Sequence, residues 1–359
     1  RGRAYPIPAF LTPQDTDFGK SLIRMADESY INEDACKWLA FQCASTYGLD
    51  KATMAERLAW TNDNIPLITR VATDPIDNIG DWEAADEPWQ FLASCEEYHA
   101  VVTKRTRNTT GLPIATDATC SGLQILAGLA RDRKTAQLVN VLPSDRPQDA
   151  YKVVAEVAKW NCPSHIQKVM DRKIVKRTVM TIPYNAKPFS NRSYIRDALK
   201  EKGVEIDKDD LTVTVQAVRD AMHNVVPGCL QVMKWIEDEI SKTIKRGATS
   251  IEWVTPSGFV VTQRIMKRKT ERFTLQLLGT CKISADTDEE DEVDLARHKA
   301  ATAPNLIHSL DASLLHLSMI RFNHPVALIH DSVLTRAVDM DELSTIIRET
   351  YMHLFAERD

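Results

Sequence analysis

The sequence predicts an α+β protein that is mostly helical, and three observations carry that class. Long stretches such as 147–159, 211–225 and 228–245 repeat apolar residues at the 3.6-residue spacing of a helix with one buried face. Two pairs of short β-rich segments flank turn chemistry: the run Ile251-Glu-Trp-Val-Thr-Pro-Ser-Gly-Phe-Val-Val-Thr, and Val326–Ile329 with Ser332–Thr335. Two aliphatic runs stop at a carboxylate, Asp117 in Pro-Ile-Ala-Thr-Asp and Asp331 in Ala-Leu-Ile-His-Asp. Such a run reads as a buried strand that delivers an acid to a sheet edge or a turn.

In chain order, apolar periodicity predicts helices near 15–26, 33–46, 54–62 and 89–104, with Trp and Tyr interleaved. A strand over 112–116 runs into Asp117, and the periodic segment 120–131 follows it as a helix. Helices over 147–159, 166–182, 211–225 and 228–245 make the middle of the chain helical. Pro183 ends or kinks the helix before Tyr184, because its ring lacks an N–H and crowds the preceding turn. After the first hairpin comes a helix over 303–323, then a second hairpin with His330-Asp331 at its tip. No internal repeat or low-complexity linker appears.

With 359 residues, 43% apolar and 26% charged, the chain is ordinary globular protein, large enough for one big core or two subdomains. A net charge of −5 argues against a simple nucleic-acid coat. Positive charge is nevertheless bunched at 104–107, 131–134, 172–177 and 264–272, so a cleft can be basic while the whole is acidic. The acidic run 286–294 reads as a solvated loop. Seven cysteines show no C-x-x-C pair or zinc-ligand spacing, so no zinc ribbon or disulfide framework is indicated and a reducing compartment is expected. No apolar stretch approaches the roughly 20 residues of a membrane span, and no signal peptide precedes the first residue. No membrane partner is expected. The opening Arg-Gly-Arg without methionine suggests a fragment or a processed product.

The two acids suggest a metal site. Two divalent cations about 3.5–4 Å apart need shared carboxylates, and magnesium favours a few carboxylates plus substrate oxygens. Asp117 and Asp331 meet that need only if folding joins them; either alone is an ordinary turn or cap residue. Between them, Arg172 and Lys176 share one face of a helix, with Tyr184 eight residues further on, about 12 Å along the axis. That span suits a nucleoside triphosphate, with two cations on the phosphates and the tyrosine on sugar and base. An amphipathic surface helix with Ile174, Val175 and Val179 packed inward accounts for the same segment equally well.

Together these residues resemble the single-subunit DNA-directed RNA polymerases of bacteriophages and mitochondria. The resemblance runs through nearly the whole chain: Arg1-Gly-Arg3-Ala-Tyr5, Gly48-Leu-Asp-Lys51, Asp117-Ala-Thr-Cys-Ser-Gly122-Leu-Gln124, Arg172-x-x-x-Lys176-x7-Tyr184, Trp253-Val-Thr-Pro-Ser-Gly258-Phe, Ala303-Pro-Asn-Leu-Ile-His308-Ser, and His330-Asp331-Ser332. Ser121 and Ser332 look like the phage branch, since the mitochondrial enzymes typically carry Asn and Cys there. Two departures stand out: Asn185 replaces the usual glycine, although Asn tolerates positive φ next best, and Pro183 is unusual and would stiffen the end of the nucleotide-binding helix.

The resemblance implies a right-hand polymerase: an antiparallel palm sheet from residues 1–133 and 309–359, and helical fingers from 134–308. It implies that Asp117, Asp331 and the backbone carbonyl of Ala118 ligate two Mg2+ ions. Arg172 and Lys176 would clamp the triphosphate, with Lys176 the general acid toward pyrophosphate, and Lys51 a further phosphate contact. Tyr184 and His308 would inspect the ribose and nascent base pair, His330 would lie beside the RNA 3′ end, and Arg3 would touch template and hybrid. The expected partners are a DNA template, the RNA product and ribonucleoside triphosphates. The protein is expected to be a monomer in the cytoplasm of a phage-infected bacterium rather than in a mitochondrion. Full-length relatives are about twice as long, so the chain resembles palm plus fingers, without the promoter-binding and thumb regions.

The related family A DNA polymerases share the metal acids and the Arg, Lys, Tyr pattern. They place glutamate five residues after the first acid and again after the second, where this chain has Gly122 and Ser332. Gly122 has no side chain to exclude a 2′-hydroxyl, so RNA synthesis is expected. A non-catalytic nucleic-acid-binding remnant is the alternative from a different class.

Overall fold

The computed structural model describes residues 2–276 and 280–355; Arg1 of the opening motif lies outside them. The chain forms two compact units. One comprises Arg3–Ser121, Leu142–Gln148 and Asp311–Asp359, the other Arg1–Gly2, Gly122–Val141 and Asp149–Leu310.

In the unit that begins at Arg3, helices Glu33–Tyr47, Met54–Asp63, Ile65–Thr73 and Pro88–Tyr98 surround a core in which Leu39, Cys43, Ile68, Val71, Phe91 and Ile114 are fully buried. Local chemistry sets the helix starts. The Asn32 side chain accepts from Ala35 N, and Thr53 and Glu56 form a reciprocal capping box. The helix Ile65–Thr73 escapes the sequence reading because Asn62, Asn64 and Pro66 resemble a break. Proline fits the first turn of a helix, where its missing N–H has no partner to lose. The helix expected over 15–26 shrinks to Asp17–Ser21, capped by Thr16, whose hydroxyl accepts from Gly19 N.

The same unit contains a three-stranded antiparallel sheet with Ser332–Thr335 at its centre, Ile114–Asp117 on one side and Val326–Ile329 on the other. Ile114 pairs with Thr335 and Asp117 with Ser332. The buried Gln42 side chain accepts from Ala115 N at 3.2 Å, so a helix residue satisfies part of the sheet's outer edge. Leu315, Phe322, Val333, Leu343 and Ile346 form a second cluster beneath this sheet.

The other unit is mainly helical: Ala150–Lys159, Arg172–Thr181, Pro188–Glu201, Lys208–Val225 and Pro227–Lys245, with the first part of Leu295–Arg321. The continuous helix expected over 166–182 is broken. A short helix Ser164–Gln167 ends before Asp171, whose carboxylate accepts from Lys173 N and Ile174 N and starts a new helix at Arg172. A cap of this kind outweighs apolar periodicity, since it satisfies amides that a continuous helix would have to bond itself. The last long helix starts at Leu295, not at Ala303. Its added turns are tied down through buried His298, whose Nε2 accepts from Ile265 N at 3.0 Å and whose Nδ1 lies 3.2 Å from Gln263 Nε2.

The hairpin Ile251–Val254 with Val260–Gln263 forms as expected, its turn closed by Gly258 at φ +84°. The acidic run corrects the expectation of a solvated loop: 286–293 belongs to strand Thr280–Val293, paired with the basic strand Met266–Gln276. Arg264 meets Glu289 at 2.6 Å and Lys267 meets Glu292 at 2.5 Å, so two cations of this cluster are paired with acids of the neighbouring strand. These are exposed pairs, screened by solvent, and add little to stability.

Candidate active site

Strand pairing brings the two remote aspartates together. Asp117 is the last residue of its strand and sits opposite Ser332, and Asp331 is the residue just before Ser332. Ser332 Oγ donates to Asp117 Oδ1 at 2.5 Å, which fixes one carboxylate oxygen. Packing of protein atoms around an otherwise accessible carboxyl raises the Asp117 pKa. The Ser332 hydrogen bond opposes this, the Asp331 charge adds to it, and Lys51 and the Ala118 backbone pull it down. His330, the other residue of the turn, has φ +57°, a region that residues other than glycine seldom occupy, and its ring meets Tyr5 edge-on at 5.6 Å.

Lys51 is exposed and pairs with neighbouring Asp50 at 2.9 Å. The loop that carries it is held by buried Arg57, which donates from Nη2 to Asp50 O at 2.9 Å, from Nε to Ala52 O at 3.1 Å and from Nη1 to Ser45 Oγ at 2.7 Å. Arg3 is turned inward. Its Nη2 donates to Asp311 Oδ2 at 2.6 Å, the two side chains being 12% and 5% exposed, and its Nε is buried without a partner among the described residues.

Asp311 is an acid that the sequence reading missed. Its only signal there is a carboxylate set between apolar residues one turn after His308. Burial pushes its carboxyl up to about 6, the Arg3 hydrogen bond and charge oppose that, and Asp331 and Asp117 add to it. A carboxyl raised in this way stabilises the fold in its protonated form, and that contribution is lost as the pH rises through about 6. A carboxyl-carbon NMR titration is expected to place the Asp311 midpoint near 6; a midpoint at the ordinary 3.8 would show that the Arg3 pair fully offsets its burial.

The other unit holds the remaining candidates. Arg172 opens the helix Arg172–Thr181, which buries Ile174, Val175, Thr178 and Val179 and leaves Lys173, Lys176 and Arg177 exposed. Lys176 makes no hydrogen bond or ion pair among the described residues. Arg172 Nε donates to Asp149 Oδ2 at 2.7 Å. The α-helix ends at Thr181, and Pro183 sits in a tight turn Ile182–Tyr184, as its ring requires. Asn185 takes φ +62° and ψ +31°, so the left-handed position forms without glycine. Its side chain donates to Glu237 at 2.9 Å, which helps fix it there.

Tyr184 and His308 lie ring to ring, with centroids 4.7 Å apart and planes at 31°. Gly122 is packed against Tyr184 and Pro183: a Cβ placed there would lie 2.9 Å from the Tyr184 hydroxyl oxygen and 3.2 Å from Pro183 Cβ. The absence of a side chain at 122 is therefore a packing requirement.

The donor chemistry of Asp117 and Asp331 fits hard divalent cations. Two neighbouring carboxylates repel each other, and hard oxygen donors of this kind suit such ions. Among the described residues no group of three or more His, Cys, Asp or Glu is placed to hold a metal, so any ion here takes most of its ligands from water or substrate.

Residues 29–359 match the DNA-dependent RNA polymerase family, and the chain belongs to it. Among its relatives are the DNA-directed RNA polymerase of Enterobacteria phage K11, 29% identical over 420 residues that span 100% of this chain and 46% of that protein, and the RNA polymerase of Escherichia phage T7, 28% identical over 100% of this chain and 47% of that protein. The mitochondrial DNA-directed RNA polymerase 1B of Nicotiana tabacum is 29% identical over 99% of this chain and 38% of its own length. The chain thus spans less than half the length of these curated relatives. Among the described residues no helix is long and apolar enough to cross a membrane.

Proposed function

We propose that this chain carries the nucleotidyl-transfer centre of a single-subunit DNA-directed RNA polymerase that copies a DNA template into RNA. The observation that carries the reading is the strand register that sets Asp331 one residue from the partner of Asp117. In this reading the acids, with the carbonyl of Ala118, hold two magnesium ions. When bound, such a pair supplies charge stabilisation to the attacking and leaving oxygens of an in-line displacement.

The chain's own residues do the rest. Arg172 and Lys176 grip the triphosphate, Lys51 adds a phosphate contact, and the exposed ammonium of Lys176 donates a proton to departing pyrophosphate. Tyr184 stacks beside His308 where ribose and nascent base pair are inspected. His330 faces the RNA 3′ end, and Arg3 braces the segment along template and hybrid. Residues 1–133 and 309–359 form the palm and 134–308 the fingers. The enzyme works as a monomer in the cytoplasm of a phage-infected bacterium. Gly122 and Ser332, where the DNA-synthesising relatives carry glutamate, favour RNA as product.

The test is single-nucleotide addition on a preassembled RNA:DNA scaffold with Mg2+. Ribonucleotides are expected to be added at least about a hundredfold more efficiently than deoxyribonucleotides, the order of discrimination when one buried polar group loses its hydroxyl partner. A preference for deoxyribonucleotides would move the chain to the DNA polymerases. Scaffold binding without extension of either kind would make it a non-catalytic remnant.

A further inference from the structure

We propose that Asp149 is a positioning residue, which holds Arg172 through Nε so that both terminal amines of the guanidinium remain for phosphate; this rests on the reading of Arg172 as a triphosphate contact. Asp149 caps the helix Ala150–Lys159. One of its oxygens accepts from Tyr151 N at 3.0 Å and Lys152 N at 3.1 Å. The other accepts from Arg172 Nε at 2.7 Å. The Tyr151 ring lies 5.4 Å from the guanidinium carbon and limits its swing.

The carboxylate is thus anchored by two backbone amides before it reaches the arginine. That matters because an arginine side chain has much rotamer freedom to lose, and a fork pinned at Nε needs little further ordering to meet a phosphate. The grip is single. A carboxylate meant to satisfy the guanidinium would take two parallel N–H bonds, whereas among the described residues only Nε of Arg172 has a partner. With Arg172 and Asp149 side chains 27% and 24% exposed, the pair is open to a ligand rather than sealed in a core.

The sequence carries the signal in Gln148-Asp149-Ala150 ahead of an apolar helix, which reads there as a cap and nothing more. Substitution can separate the two duties. Asp149→Ser keeps a capping oxygen and is too short to reach Arg172, and Asp149→Asn keeps the cap with its single oxygen but turns an amide N–H, a donor, toward Nε.

The experiment measures affinity of the full chain for the fluorescent probes MANT-GTP and MANT-GMP, with unfolding temperature alongside. For Asp149→Ser, MANT-GTP affinity is expected to fall about tenfold while MANT-GMP affinity and unfolding temperature hold; Asp149→Asn, with an amide N–H facing Nε, is expected to lose affinity to a similar degree, and Asp149→Ser with Arg172→Ala to bind no worse than Arg172→Ala alone. A weaker Arg172→Ala beside an unchanged or tighter Asp149→Ser would overturn the positioning role and leave the triphosphate reading standing. Strictly additive losses in the double variant would also overturn it. An Arg172→Ala that binds MANT-GTP like the wild type would remove the triphosphate reading and this proposal with it.

Discussion

Asp331→Asn is expected to abolish magnesium-dependent extension of an RNA:DNA scaffold, lowering single-nucleotide addition about a thousandfold or more, the equivalent of some 4 kcal/mol of lost transition-state stabilisation. The fold should not suffer. Asp331 sits in a two-residue turn and makes no hydrogen bond or ion pair among the described residues, so an amide of the same shape breaks no contact. Its charge raises the Asp117 carboxyl, and removing that repulsion relieves the sheet end. An unchanged unfolding temperature with lost activity therefore assigns the loss to the carboxylate. Manganese binding, followed by its paramagnetic signal, should weaken in parallel and needs no turnover. Extension within about tenfold of wild type would show that Asp331 holds no catalytic ion, and the reading of the acid pair would fall with it.

The acid pair was legible because strand residues alternate and hydrophobic runs end abruptly: 112–116, running into Asp117, and Ser332–Thr335 read as strands from the sequence, and the pairing of Ser332–Thr335 with Val326–Ile329 needed only a turn at His330-Asp331. The left-handed Asn185 and the stop at Pro183 were legible for the same reason, since one residue's covalent geometry decides each. Other features depend on neighbours distant in sequence. The charge of the strand Met266–Gln276 looks like a basic patch until the acidic strand Thr280–Val293 lies beside it. The early start of the helix at Leu295 depends on His298 finding Ile265 and Gln263. Asp311 and Arg3 stand 308 residues apart, and no periodicity links an arginine near one end of the chain to a buried acid near the other. Periodicity and caps report on a residue's own turn of helix, whereas ion pairs and charge cancellation report on whatever the fold brings next to it.

Gly122→Glu is expected to cut ribonucleotide addition about a hundredfold, and Gly122→Ala about tenfold, on the scale of roughly 1–3 kcal/mol that overpacking costs. The first atom of any side chain at 122 would lie 2.9 Å from the Tyr184 hydroxyl oxygen and 3.1 Å from Cζ, closer than unbonded carbon and oxygen tolerate. Tyr184 has little room to yield, because its ring rests on His308 and the adjoining Pro183 is buried. The two variants therefore separate two ways of losing activity. A methyl acts only by displacing the tyrosine, so Gly122→Ala should depress both nucleotide types to a similar degree if Tyr184 serves chiefly to seat the base pair. The glutamate adds a carboxylate that can meet a 2′-hydroxyl, so Gly122→Glu should depress ribonucleotides further than deoxyribonucleotides. If Gly122→Glu leaves the ratio of the two sugars where Gly122→Ala leaves it, residue 122 influences catalysis through the Tyr184 ring alone. Sugar selection would then have to come from Tyr184 and His308 rather than from the space beside Gly122.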